Sequence, residues 1–122
     1  MKFTEEVVSK DALKLQLAGD MDAHSADELR NVMENILDRG NRPLHLFLDL
    51  EGVEFIDSSG LGIMLGRYRK LSQRKGMMVV INPQPHVRRI LELAGIERII
   101  PIVGDLGQAL DLVGEKEDED SA

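Results

Sequence analysis

The sequence predicts a single α/β domain: a mostly parallel sheet of about five strands with an antiparallel N-terminal edge, accompanied by four helices. Three observations carry that expectation. Segments with strand-like patterning alternate with segments of helical periodicity from residue 25 onward. Two segments, 44–50 and 77–81, are nearly continuous in apolar residues, as central strands covered on both faces are. The 122 residues, 43% of them hydrophobic, suffice for one ordinary core and leave no room for a second. The domain is expected over residues 1–113, followed by an acidic disordered tail over 114–122.

Residues 3–8 and 12–18 read as strands joined at Ser9-Lys10-Asp11. The second alternates Leu13, Leu15 and Leu17 with Lys14 and Gln16, so one of its faces is expected to be wet. A polar connection through Asp22 and His24 leads to a helix over about 25–39. Its core stripe is Ala26, Leu29, Met33, Ile36 and Leu37, with Ser25 and Glu28 spaced as a capping box and Gly40 as the stop. The strand at 44–50 follows, then a helix from about Ser59 to Lys75 ended by Gly76, then the strand at 77–81. A helix over about 85–94 carries Val87, Ile90, Leu91 and Ala94 and closes at Gly95. The strand at 99–102 contains Pro101, which cannot donate to a ladder and so belongs at a sheet edge. A last helix over about 105–113 points Leu106, Ala109, Leu110 and Val113 inward. The order β-β-α-β-α-β-α-β-α implies right-handed crossovers between parallel strands.

Composition narrows the function classes. There is no cysteine, which removes disulfides and thiolate metal sites and fits a reducing cytoplasm. The first residues carry no apolar leader, and no run approaches the roughly 20 apolar residues of a membrane span, so a soluble intracellular protein is expected. A net charge of −7 disfavours nucleic acid as a partner, although −4 of it lies between Glu115 and Asp120.

The chemistry concentrates in one stretch, Phe55-Ile56-Asp57-Ser58-Ser59-Gly60-Leu61-Gly62-Ile63-Met64-Leu65-Gly66-Arg67-Tyr68. It lies where a helix presents unpaired backbone N–H groups and the positive end of its dipole. Gly60-x-Gly62-x-x-x-Gly66 approaches a dinucleotide fingerprint. However, Glu51 to Asp57 separate the strand pattern from the glycines, no acid ends the next strand, and the chain is too short for two mononucleotide halves. No Gly-Lys-Ser/Thr follows, which removes a Walker loop. Asp49 stands where a phospho-accepting receiver aspartate would. The acidic pair and late lysine such a site needs are missing, so Asp49 reads as a capping or turn residue. Ser58 or Ser59 as a nucleophile would need a base, and His24, His45 and His86 are not placed to serve, His45 being structural within a strand.

What remains is helix capping, covalent modification, or both. A capping Ser or Asp contributes about 1 kcal/mol, which accounts for Asp57 and one hydroxyl. It leaves Gly62 and Gly66 unexplained, since a glycine inside a helix costs roughly 1 kcal/mol relative to alanine. At 100° steps, Leu61, Met64, Leu65, Tyr68 and Leu71 form the core stripe, and Gly62, Ile63, Gly66, Arg67 and Lys70 fall on the flank and far side. Two readings stay open: a smooth docking face bearing an exposed Ile63, or close packing of this helix on a neighbour.

The motif Phe55 to Gly62, with Leu65-Gly66-Arg67-Tyr68 after it, resembles the anti-sigma factor antagonists of the STAS domain family, most closely the sporulation type. Gly19-Asp20-Met21-Asp22 and Leu93-Ala94-Gly95-Ile96 add to the resemblance, which covers residues 3–113. It implies a cytoplasmic, non-enzymatic switch in transcription regulation, without cofactor or metal. The unmodified protein would bind an anti-sigma factor that is also a serine kinase, releasing the sigma factor, and a serine phosphatase would restore it after phosphorylation. The resemblance assigns the phosphate to Ser58, a choice spacing alone does not make between Ser58 and Ser59. On this view Asp22, Asp57 and Ser58 form the switch, and Ser59, Gly60, Gly62, Ile63, Gly66 and Arg67 extend the contact face. The competing readings are a STAS scaffold subunit of a larger signalling complex, and a nucleotide- or phosphate-binding signalling domain acting alone.

Overall fold

The computed structural model describes residues 1–40 and 42–116. The tail expected over 114–122 lies outside the described residues from 117 onward. The strands are β1 (Lys2–Val7), β2 (Ala12–Met21), β3 (His45–Ile56), β4 (Met78–Ile81) and β5 (Ile102–Val103). The helices are α1 (Ala26–Leu37), α2 (Ser58–Gln73), α3 (Pro85–Leu93) and α4 (Leu106–Leu112), with a 3₁₀ turn at Ile96–Arg98. The strands lie in the order β1-β2-β3-β4-β5, with β1 antiparallel to β2 and every other pair parallel.

The period-2 pattern of β2 sorts as expected: Leu13, Leu15 and Leu17 are buried while Gln16 is exposed. They join Leu29, Met33, Ile36 and Leu37 of α1, Ile63, Met64 and Leu71 of α2, and Val87 and Leu91 of α3 in the main core on one side of the sheet. Phe47, Val79 and Ile81 face the other way, where Ala109 and Leu110 of α4 cover them together with Val8 and Ala12. This division explains why β3 and β4 read as continuous apolar runs: both of their faces are occupied. On α3, Ala94 is exposed and falls beyond the helix rather than in its core stripe.

Four local expectations are corrected. The capping box at Ser25 does not form: its hydroxyl donates to the Asp20 carbonyl at 2.6 Å instead of bonding the helix amides. The edge strand is shorter and later than 99–102, covering Ile102–Val103, because Ile99 and Ile100 complete the 3₁₀ turn with amides bonded to Ile96. Pro101 nevertheless stands at the edge, its carbonyl accepting from Val80 at 2.9 Å. Gly76 is required by close approach, since a Cβ there would lie 1.8 Å from the Leu44 oxygen, while the left-handed residue at this turn is Lys75 (φ 62°).

The fourth correction concerns β3, which continues six residues past the expected end at Leu50. Glu51, Gly52 and Glu54 interrupt the apolar run, but β2 also runs on to Met21 and pairs with this extension, Met21 opposite Ile56. A bulge separates the two halves, where the Asp49 carboxylate accepts from the Glu51 amide at 3.1 Å, so Asp49 shapes a bulge within the strand rather than a cap or a turn. β4 pairs only as far as Asp49, so the outer edge of the extension lacks a strand partner among the described residues. There the Gln84 side-chain amide donates to the Glu51 carbonyl at 2.8 Å, and the His86 imidazole bonds the Glu54 carbonyl. Side chains at the start of α3 thus satisfy the carbonyls another strand would have used.

Candidate functional site: the entrance of α2

Parallel pairing of β2 and β3 brings the two acidic turns to one end of the sheet. Asp57 donates its amide to the Met21 carbonyl at 3.1 Å, so the residue before Ser58 is bonded to the residue before Asp22. The Asp22 carboxylate accepts from the amides of His24 (2.9 Å) and Ser25 (3.1 Å), which shapes the turn into α1. Asp57 is the N-cap of α2, its carboxylate accepting from Ser59 at 2.9 Å and Gly60 at 3.4 Å. An acidic side chain of the protein itself therefore takes the amides a bound anion would seek. Because β3 runs on to Ile56, the separation between strand and glycines counted against a dinucleotide fingerprint shrinks to Asp57, Ser58 and Ser59. What differs from such a loop is that Gly60 sits within the first turn of the helix, its amide bonded to Asp57.

Ser58 is the first residue of α2 and is exposed, whereas Ser59 is half-buried. The three glycines then divide. A Cβ on Gly60 would stand 2.6 Å from the Met21 oxygen and 2.9 Å from the Met21 Cβ, so Gly60 is a buried contact between the helix entrance and β2, not part of an outward face. A Cβ on Gly62 or Gly66 would meet nothing within 4 Å among the described residues, which removes close packing as their reason and leaves a smooth outer surface.

Ile63 is only 6% exposed and belongs to the main core, contrary to the expected exposed contact residue. Leu61, Leu65 and Tyr68, assigned to the core stripe, are half-buried at the border of the core. The apolar residues of α2 span more than half of its circumference, and the buried arc is centred between Ile63 and Leu71 rather than on Leu61 and Leu65. Arg67 is likewise turned inward: it donates to Glu34 of α1 at 2.8 Å with 18% of its side chain exposed. Lys70 bonds Asp38, and Arg74 donates to the carbonyls of Leu37 (3.0 Å) and Gly40 (3.1 Å). The flank carrying Arg67, Lys70 and Arg74 is thus the face that joins α2 to α1.

Redrawn, the outer stripe of α2 runs Ser58, Gly62, Leu65, Arg69, with Gly66 beside it and Gly62 and Arg69 exposed. Leu65 and Arg69 were missed, although the spacing i, i+4, i+7, i+11 from Ser58 marks them in the sequence. Among the described residues no group of three or more His, Asp or Glu side chains converges to hold a metal ion, and no helix is long and apolar enough to cross a membrane.

The sequence profile of the STAS domain matches residues 4–109. The anti-sigma F factor antagonist of Paenibacillus polymyxa is 38% identical over 98 residues, which cover 80% of this chain and 83% of that protein. The anti-sigma factor antagonist SpoIIAA in its unphosphorylated form superposes with a TM-score of 0.76 at 27% identity, covering 93% of this chain and 96% of the other. The phosphorylated form of the Bacillus protein superposes with a TM-score of 0.71 at 27% identity, covering 92% and 99%.

Proposed function

This chain belongs to the STAS domain family, and on that premise we propose that it is an anti-sigma factor antagonist whose α2 face docks on an anti-sigma factor. The partner is an anti-sigma factor that is also a serine kinase; docking releases the sigma factor, phosphorylation of Ser58 ends the complex, and a serine phosphatase renews it. The setting is the cytoplasm, with neither nucleic acid nor membrane as a partner, and the pathway is of the sporulation type. The protein is a regulator rather than an enzyme.

The observation that carries this reading is the exposed Ser58 hydroxyl at the head of a stripe whose Gly62 and Gly66 meet no internal neighbour. A phosphate there adds a charge of about −1.5 to −2. The helix N-terminus stabilises an anion by about 0.3–1 kcal/mol, which leaves the fold intact. At a docked surface the same charge must lose water beside Asp22 and Asp57, and each 1.4 kcal/mol is tenfold in affinity. Modification therefore acts on the complex and not on the domain. A likeness to both the unphosphorylated and the phosphorylated SpoIIAA structures supports a fold that persists through the switch. A phosphate held noncovalently by the domain alone is disfavoured because Asp57 already occupies the Ser59 and Gly60 amides.

The test is binding of the anti-sigma partner by Ser58→Ala and Ser58→Glu proteins, together with mass spectrometry of protein from its own host. Ser58→Ala binds as the unmodified protein does and resists the kinase, Ser58→Glu binds weakly, and the native phosphate maps to Ser58. Equal binding by the two variants would refute the electrostatic account.

A further inference from the structure

The opposite end of the sheet carries a second feature that the switch does not use. A cleft of about 230 Å³ opens beside the β1–β2 hairpin, with Val7, Ala12, Leu13 and Pro43 as its apolar floor and Lys10, Arg39 and Arg42 around it. Arg39 is held by a two-pronged pair to Glu5 at 2.9 and 3.1 Å. Arg42 is held loosely, 3.6 Å from Asp11, and Lys10 has no ion-pair partner among the described residues. Ser9 also lines the cleft, and its hydroxyl donates to the carboxylate of Glu115. The Glu115 amide in turn bonds the Leu110 carbonyl at 3.0 Å, which fixes the departure of the chain from α4. The polypeptide is thus delivered to the rim of a cationic cleft immediately before Glu117-Asp118-Glu119-Asp120, four consecutive carboxylates.

We propose that this acidic segment of the chain is the occupant of the cleft, drawn to Lys10 and Arg42. Reach permits it: residues 117–120 span up to about 14 Å when extended, starting from a residue adjoining Glu115. Tethering permits it as well, because a segment anchored within a few residues of its site meets that site at an effective concentration of the order of millimolar, so weak exposed pairs suffice. Charge selects it over an uncharged occupant, since Lys10 and Arg42 are the two rim cations least engaged elsewhere among the described residues.

The experiment compares backbone amide shifts of the full chain with those of a full-length variant neutralised at Glu117→Gln, Asp118→Asn, Glu119→Gln and Asp120→Asn. At low ionic strength neutralisation should move the amides of Val7 to Leu13 and of Arg39 and Arg42. That difference should vanish in 1 M salt, where the Debye length is about 3 Å. In a folded Lys10→Glu, Arg42→Glu background the same neutralisation should leave the amides of Val7 to Leu13 and of Arg39 unmoved. Identical shifts at low salt would overturn the proposal. So would a difference that survives 1 M salt, or one that grows with protein concentration, which would assign the cleft to a second copy.

Discussion

Arg67 of α2 and Glu34 of α1 form an ion pair at 2.8 Å in which the arginine is the more buried partner, 18% exposed against 43%. The charge expected to meet another protein instead joins two helices, and the Arg67 Nε has no partner of its own among the described residues. Removing the carboxylate leaves a partly buried guanidinium unanswered. Glu34→Ala should destabilise the domain by about 1–2 kcal/mol in denaturant titration while partner affinity changes little. A large affinity loss without a stability change would return Arg67 to the contact face.

The three glycines of α2 make opposite forecasts. Gly60→Ala drives a methyl to 2.6 Å from the Met21 oxygen and should cost about 1–3 kcal/mol. Gly62→Ala and Gly66→Ala enter open space in a helix and should each raise stability by roughly 0.5–1 kcal/mol. Both should weaken partner binding, because the added methyl roughens the outer stripe. Thermal melts paired with titration calorimetry read the two effects separately, and undiminished binding by both variants would place the contact elsewhere.

Ile63 and Leu65 differ by two positions and by environment. Ile63→Ala empties a core site and should cost about 2–4 kcal/mol. Leu65→Ser and Arg69→Ala should cost less than about 1.5 kcal/mol and show their effect in affinity. The reverse ranking would mean that α2 is turned as the sequence suggested.

His45 sets a pH dependence. Burial lowers its pKa below the ordinary 6.5, against the smaller upward pull of Glu115 and Asp11. In the fold its Nδ1 accepts from the Met77 amide at 3.0 Å, which requires the unprotonated nitrogen. Above pH 6.5 the ring is neutral in both folded and unfolded chains, and the stability is complete. As pH falls through 6.5 the unfolded chain binds a proton before the folded one does, so stability declines until the lowered folded value is passed. Denaturation midpoints from about pH 8 down to about pH 5 should show this loss, and a His45→Gln protein should have a shallower slope. Parallel slopes would remove His45 as the cause.

The elements legible in the sequence by periodicity are those that keep one period. Leu13, Leu15 and Leu17 alternate, Leu29, Met33 and Ile36 follow helical spacing, and both sets are buried as expected. Ser58 stood out through its motif, and the structure places it, exposed, at the first position of α2. The orientation of α2 was not legible, since Ile63, Met64, Leu65 and Tyr68 leave more apolar arc than a core contact needs, and the choice within it is made by Arg67, Lys70 and Arg74 reaching α1. Those partners are distant in sequence. The same holds for the extension of β3, whose residues Glu51, Gly52 and Glu54 look like a loop until β2 is laid beside them. Gly60 read as one of three equivalent glycines, and only the Met21 carbonyl sets it apart.

The polar seam between α1 and α2 bears on how such a chain can diverge. Glu34 with Arg67 and Asp38 with Lys70 are tied as couples, so a change of charge at one requires an answering change at the other. Gly62, Gly66 and Arg69 have no such counterpart among the described residues and can vary singly. Duplicated copies could therefore drift toward different regulators through independent substitutions along one side of a helix, while the opposite side keeps every copy in the same shape.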